Sequence, residues 1–224
     1  MKKVFIATPT YEEKVSIPYV MSLLDMCEIL TQNGYTHTCL INSGGSLIPM
    51  ARNKIIQMFW ESDADYLLCI DSDLGWEPSS IIRLLESDKD IVGGVYPTRD
   101  GTNNYVFFAV EEQDGRITQC PTTKLLEMEY IPAGFMLIKR ESIQKMKEYY
   151  SELEVKNDKF MLEHDGTYHA LFGTEVIDGK FYGEDILFCK RAREAGLRIW
   201  VDPFIEFNHA GYKGKLVNNL IVGR

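Results

Sequence analysis

Five side chains in this sequence carry the types and spacing that could act on one ligand. Asp71 and Asp73 follow the apolar run YLLCI (66–70). Residues i and i+2 of a strand share a face, so two carboxylates there repel each other unless a cation lies between them. A strand-end carboxylate pair suits a divalent cation with oxygen ligands, Mg²⁺ or Mn²⁺. Such an ion also binds a diphosphate and stabilises it as a leaving group. Glu184 and Asp185 open a helical pattern, where the dipole favours carboxylates and where one could act as a general base. His209 follows an extended stretch and could add a nitrogen ligand. Each also has a plainer reading as a turn cap, a helix-start charge or a solvated imidazole.

The elements that must position these groups alternate. KVFIAT (3–8), THTCLI (36–41), YLLCI (66–70) and DIVGGVY (90–96) read as buried strands. Between them lie helical patterns over 16–35, with Val20, Leu23, Leu24, Cys27 and Leu30 or Ile29 inward, then over 49–62 and from Pro78 to Leu85. This predicts an α/β protein with a mainly parallel sheet and helices on its faces. In such a sheet ligands bind at the carboxyl ends of the strands. Pro9 to Glu12, Asn42 to Gly44 and Asp71 to Asp73 should then line one edge. After Pro97 the pattern turns mixed. Asp114-Gly115 predicts a hairpin, LLEMEYI and FMLIKR further strands, and ESIQKMKEYY and GEDILFCKRAREAG helices. LRIWVD is a late strand, and EFNHAGYKGK leads to the tail. Residues 151–180 are polar and read as a flap or long loop, with His164 and His169 solvated.

Composition narrows the function classes. The chain has 224 residues, 45% hydrophobic and 25% charged, with a formal net charge of -9. That acidity argues against polynucleotide partners. The five cysteines form no CxxC pair, which favours buried free thiols over a disulfide framework or a zinc site. No stretch reaches transmembrane length, and the apolar start is too short for a signal peptide, so stable membrane insertion is not expected and a cytoplasmic location is. Neither GxGxxG nor GxxxxGK[ST] occurs, which removes the main support for dinucleotide or P-loop binding.

The ordered motifs resemble the nucleotide-sugar glycosyltransferases of the GT-A fold, in particular the small family 2-like members of bacteria, phages and viruses. VFIATPTYEE is similar to the opening strand and nucleotide loop, and SLIPMARNKIIQMF with ADYLLCIDSDLGWEPSSIIRLL to the helix and DxD region. DKDIVGGVYP, IPAGFMLIKRE, YGEDILFCKRAREAGLRIWVD and NHAG follow in family order. The resemblance implies a single Rossmann-like three-layer domain with a smaller antiparallel or mixed C-terminal part. Residues 1–97 would form the nucleotide half and 98–224 the acceptor half. It implies nucleotide contacts at Thr8, Pro9, Tyr11, Ser43, Arg52, Asp71, Ser72 and Lys215, and Mn²⁺ or Mg²⁺ ligands at Asp71, Asp73 and His209. It further implies a base at Asp185, and sugar or acceptor contacts at Gly134, Glu184 and Trp76. The implied reaction moves a sugar from a nucleoside-diphosphate donor, UDP on family frequency, to a glycan, lipid-linked or protein-linked acceptor with inversion.

Three other readings compete. A haloacid-dehalogenase-type phosphotransferase usually carries its DxD after the first strand, with Thr or Val where Gly75 stands. A nucleotidyltransferase would need a glycine-rich loop in place of TPTYEE. A non-catalytic nucleotide or sugar module would not need Asp185.

Overall fold

A computed structural model describes residues 1–43, 47–99, 104–157, 166–209 and 211–220. The first elements alternate as the sequence predicts: β1 (Lys3–Thr10), α1 (Ile17–Gln32), β2 (Thr36–Ser43), α2 (Ile48–Glu61) and β3 (Tyr66–Ile70). Then come β4 (Leu74–Trp76), α3 (Ser80–Glu86), β5 (Ile91–Gly93), β6 (Phe108–Ala109), β7 (Leu126–Tyr130), β8 (Phe135–Lys139) and α4 (Arg140–Tyr149). The rest comprises β9 (Glu154–Asn157), β10 (Gly166–His169), β11 (Glu175–Ile177), β12 (Lys180–Tyr182), α5 (Glu184–Glu194), β13 (Ile199–Val201), β14 (Phe207–His209), β15 (Tyr212–Gly214) and α6 (Leu216–Leu220).

The main sheet has eight strands in the order β2-β1-β3-β8-β5-β13-β7-β6. Strands β8 and β7 run against the other six, so the sheet is mostly same-direction, as expected. Residues 1–97 and 98–224 share it, because β8 from the second stretch lies between β3 and β5 from the first. Strand alternation divides the core in two. Phe5, Ala7, Leu67 and Cys69 face one side with Ile55, Ile56 and Phe59 of α2, Ile143 and Met146 of α4, and Phe188 and Ala192 of α5. Val4, Ile6, Tyr66 and Leu68 face the other with Tyr19, Met26 and Leu30 of α1 and Ile81 and Leu84 of α3. Near-continuous apolar strands are what a sheet covered on both faces requires. Among the described residues no helix is long and apolar enough to cross a membrane.

Several expectations need correction. Helix α1 buries Tyr19, Ser22, Met26 and Leu30, while Val20 and Leu24 face outward. Its inner face is fixed by polar contacts that a hydrophobic count ignores. The Tyr19 hydroxyl meets Thr8 Oγ1 at 2.6 Å, and Ser22 Oγ donates to the Trp76 carbonyl at 2.9 Å. The DxD turn does not lead straight to a helix: β4 intervenes and joins a separate sheet, β15-β14-β4, so the presumed tail folds back over the turn. The described part of 151–180 is not a bare loop either. It contains the antiparallel pair β9–β10 and strand β11, which pairs with β12 across a turn on Asp178 and Gly179 at φ 50° and 75°. His169 on β10 is buried, whereas His164 lies outside the described residues. Burial lowers the His169 pKa, with help from the Lys147 charge.

Leu171 and Phe172 explain why this polar segment docks. Both are in the core, and Phe172 stacks on Phe188 at 4.3 Å between centroids. Asn53 of α2 holds the backbone there: its Nδ2 donates to the Phe172 carbonyl and its Oδ1 accepts from the Phe172 N–H, both at 2.8 Å. Asn53→Ala would leave both backbone groups buried and unpaired, each costing about 1–3 kcal/mol. Urea unfolding should show a lower midpoint by that order. An unchanged midpoint would show that the clamp contributes nothing.

Candidate active site

The site forms where the carboxyl ends of β1, β3 and β5 meet the start of β8 and of α5. Asp71 is the first residue past β3. Its N–H donates to the Gly134 carbonyl at 2.9 Å, tying it to the residue before β8. Its Oδ1 accepts from Arg52 Nη2 at 2.9 Å and its Oδ2 from the Tyr96 hydroxyl at 3.2 Å. A Cβ on Gly134 would lie 2.1 Å from the Tyr96 oxygen and 2.3 Å from Asp71 Oδ2. Residue 134 must therefore be glycine for these groups to meet, which is a positioning role rather than a ligand contact. Burial, and then the Asp71 charge, hold the Tyr96 pKa well above its usual value, so it stays a phenol and donates.

Arg52 is only 4% exposed. Besides Asp71, its Nη1 donates to the Ala133 carbonyl at 3.2 Å, and its Nε, which has no hydrogen-bond partner, lies 3.6 Å from Glu184 Oε1. Burial works to lower its pKa, but Asp71 and then further negative groups outweigh burial and keep it raised. Glu184 opens α5, and burial with the neighbouring Asp185 charge raises its pKa despite Arg52. Arg52, expected from the resemblance to contact the nucleotide, is here an internal bridge between two carboxylates.

Asp73 is handled separately. Strand β14 pairs with β4 so that His209 sits opposite Leu74, next to Asp73. His209 Nε2 is 3.6 Å from Asp73 Oδ2, and both groups contact Arg99. Arg99 Nε donates to His209 Nε2 at 2.8 Å. An arginine can only donate, so Nε2 presents a lone pair and Nδ1–H donates to the Pro97 carbonyl at 2.7 Å. The Asp73 carboxylate raises the His209 pKa, more than burial lowers it. Burial acts to raise the Asp73 pKa, but His209 and Arg99 together bring it below its usual value.

The guanidinium of Arg99 therefore stands where a cation would be expected: between a carboxylate and an imidazole lone pair whose tautomer is fixed from behind. That mixed oxygen and nitrogen donor set suits Mn²⁺ and also accommodates Mg²⁺. Asp71 stands apart from this pair. Among the described residues, Asp71, Asp73 and His209 do not bring ligand atoms within 4.8 Å of one another as a set. Arg52 and Tyr96 engage Asp71 instead.

Asp185 and His209 line one cavity of about 260 Å³, with Tyr96, Arg99, Tyr130 and Ile186. Asp185 Oδ1 accepts from the Ile186 N–H at 2.8 Å. Other expected residues are distributed around this centre. Tyr11 is 74% exposed just past β1, while Thr8 and Pro9 are buried. Ser43 ends β2 in register with Thr10, and the Ser72 carbonyl accepts from the Ser16 N–H at 2.8 Å. Trp76 and Lys215 line a different cavity of about 390 Å³ beside α1. The Trp76 side chain is in the core, 5% exposed, with its ring against Tyr19 and Phe135. Although the larger of the two, this second cavity holds none of Asp71, Asp73, Asp185 and His209. Sequence reasoning missed Arg99 and Tyr96, and it placed Thr10 at the ligand edge without a role of its own. Tyr96 lay in a quoted motif without a role. Thr10 Oγ1 is buried with no partner at the carboxyl edge, a signal visible only in three dimensions.

No family model and no curated protein matches the chain by sequence. Solved structures do. A197 from STIV is 20% identical with a TM-score of 0.52, over 93% of this chain and 85% of that one. A Drosophila β-1,4-galactosyltransferase 7 mutant, solved with manganese, UDP-galactose and xylobiose, is 14% identical with a TM-score of 0.49, over 100% of this chain and 74% of that one. TarS from S. aureus is 16% identical with a TM-score of 0.44, over 90% of this chain and 58% of that one. The likeness to A197 establishes the shared fold, in agreement with the GT-A architecture expected from the ordered motifs.

The Arg52 bridge yields a test. Arg52→Met keeps the bulk but leaves Asp71 and Glu184 uncompensated. Their side chains are 27% and 20% exposed, so the loss should sit near the low end of the roughly 3–5 kcal/mol cost of breaking a buried pair. Thermal and urea unfolding check it. A variant as stable as the parent would show that the bridge is not needed for folding.

Proposed function

We propose that this chain is a metal-dependent glycosyltransferase. It would transfer a sugar from a nucleoside-diphosphate sugar, with UDP as the nucleotide carried over from the family resemblance, to an acceptor hydroxyl with inversion. The observation that carries this reading is the grouping of Asp73, His209 and Asp185. The first two share a cation, and the last two face one cavity. A non-catalytic nucleotide or sugar module would have no use for a carboxylate at the helix start in the same cavity as a cation site.

Asp73 and His209 would hold the Mn²⁺ or Mg²⁺ ion, which when bound neutralises charge developing on the diphosphate. Asp71, fixed by Arg52, Tyr96 and the Gly134 carbonyl, would receive the ribose. Thr10 Oγ1 and the Tyr11 ring, at the end of β1, would contact the nucleotide. Asp185 would act as base. With Oδ1 held by the Ile186 N–H, Oδ2 takes the acceptor proton as the acceptor oxygen bonds to the anomeric carbon. The bond from that carbon to the diphosphate oxygen breaks, and its electron pair leaves with the diphosphate. Attack from the side opposite the leaving group inverts the centre. Glu184, bound to Arg52, would orient the helix start rather than take the proton.

Incubation with Mn²⁺ and a panel of nucleotide sugars should release nucleoside diphosphate with at least one donor. Tight nucleotide binding without transfer or hydrolysis would favour a binding module instead. Asp185→Asn should lower turnover by about 10²–10⁴-fold and leave nucleotide affinity within a small factor. Unchanged turnover would sink the base assignment.

His209→Ala removes one of the two groups that meet at the Arg99 guanidinium. Metal-dependent nucleotide binding, followed by calorimetry with and without Mn²⁺, should weaken in this variant. Metal-independent binding should change little. Intact metal dependence would remove His209 from the site.

A further inference from the structure

Cys27, His37 and Cys39 form a second cluster, away from the carboxylate edge. Among the described residues they are the one group of three His, Cys, Asp or Glu side chains whose ligand atoms all lie within 4.8 Å of one another. Both thiols had been expected to be buried and free. Both are free, but Cys39 is exposed and Cys27 half-buried. The topology brings the three together. His37 and Cys39 are two apart on β2, so they share a face. Their partners in β1 are Val4 and Ile6, which point to the α1 side of the sheet. Cys27 on α1 meets them there. Strand β2 is an edge strand of the main sheet, which leaves the cluster open to solvent on one side.

Two independent observations point to a ligand. The sulfurs of Cys27 and Cys39 are 3.7 Å apart, within reach of a thiol–thiol hydrogen bond and too far for a disulfide, and the same spacing fits two ligands of one metal ion. Two sulfurs bound to one Zn²⁺ at about 2.3 Å and the tetrahedral angle stand roughly 3.7–3.8 Å apart. Further, His37 Nδ1 is buried and has no hydrogen-bond partner. A buried ring nitrogen without a partner is costly unless something binds it. Two thiolates and an imidazole are a soft donor set that discriminates against Mg²⁺ and Mn²⁺.

We propose that Cys27, His37 and Cys39 bind one Zn²⁺ ion, with the fourth position facing solvent. On binding, each thiol loses its proton to solvent and the sulfur lone pair forms the bond to zinc, with no change in oxidation state. The ion clips α1 to the edge strand. It is separate from the Asp73–His209 site in position and in chemistry, and it does not depend on the function proposed above.

Fully reduced, metal-free protein titrated with Co²⁺ should develop the thiolate charge-transfer and tetrahedral d–d bands of one bound ion. Zn²⁺ should displace that ion at 1:1 stoichiometry and raise the melting temperature. Cys39→Ser changes an exposed side chain, and its far-UV circular dichroism should match the parent. It should lose the bands, and its Zn²⁺ affinity should fall by more than the roughly 10–100-fold that loss of an outer-shell partner alone costs. Cys27→Ser and His37→Phe should do the same. The double variant Asp73→Asn, His209→Ala should keep the bands. Absence of thiolate bands in the reduced parent would overturn the proposal. So would bands that survive Cys39→Ser, or that vanish in the Asp73, His209 double variant.

Discussion

The site depends on one buried charge. Arg52 lies nine-tenths or more inside the protein, and such a charge persists only if its partners are fixed as firmly as it is. Asp71 comes from the end of β3, Glu184 from the start of α5, and the Ala133 carbonyl from the turn before β8. The guanidinium therefore ties three separate parts of the chain together. Its planar fork reaches these directions at once, which a lysine ammonium on a flexible stem could not reproduce. The Phe172 ring lies 5.8 Å from the guanidinium, so the Asn53 clamp on Phe172 supports the same charge from below. Packing of the 166–172 segment and placement of the acidic groups are thus one structural problem.

The DxD carboxylates raised the question of what cation separates them. The structure supplies two cations. Asp71 has Arg52, which is buried and bonded on several sides. Asp73 has Arg99, whose side chain is 60% exposed. Exposed ion pairs contribute little to stability, about 0–1 kcal/mol. Displacing Arg99 from Asp73 and His209 is therefore cheap, whereas displacing Arg52 from Asp71 is not. The two aspartates are chemically alike but differ in exchangeability, and the difference comes from which arginine faces each.

Much of the scaffold was legible in the sequence. The alternation of apolar strands and helical patterns through residue 96 gave the first strands and the helix between each pair, because sheets covered on both faces leave long apolar runs. Asp185 at a helix start and His209 near the DxD turn were also visible, through motif order. The failures have specific causes. Leu24 and Val20 were assigned inward because apolar periodicity cannot see that Tyr19 and Ser22 make the decisive buried hydrogen bonds. The strand pairs between residues 154 and 182 were hidden because their strands are three or four residues long and mostly polar, and their anchor is a backbone clamp from Asn53. Trp76 reads as a sugar platform by residue type, yet strand β4 turns it into the core. Arg99 carries no motif of its own. Its role exists only because the β14–β4 pairing brings His209 beside Asp73.

That pairing also explains why a histidine more than a hundred residues away can complete a site begun by the DxD turn. The turn projects Asp73 from the end of a rigid central strand, and β4 then runs directly into an antiparallel match with β14. Register fixes His209 opposite Leu74, and the Pro97 carbonyl fixes which nitrogen it presents. A one-residue slip would point the imidazole to the other face of the small sheet and break both relations. Phe207 opposes such a slip. It packs on Phe135 and Tyr96 in the same apolar cluster, so the register that aims His209 is held by hydrophobic burial two residues upstream. The chemistry at Asp73 thus rests on packing as much as on charge, and substitutions at Phe207 would reach the site without touching any of its polar groups.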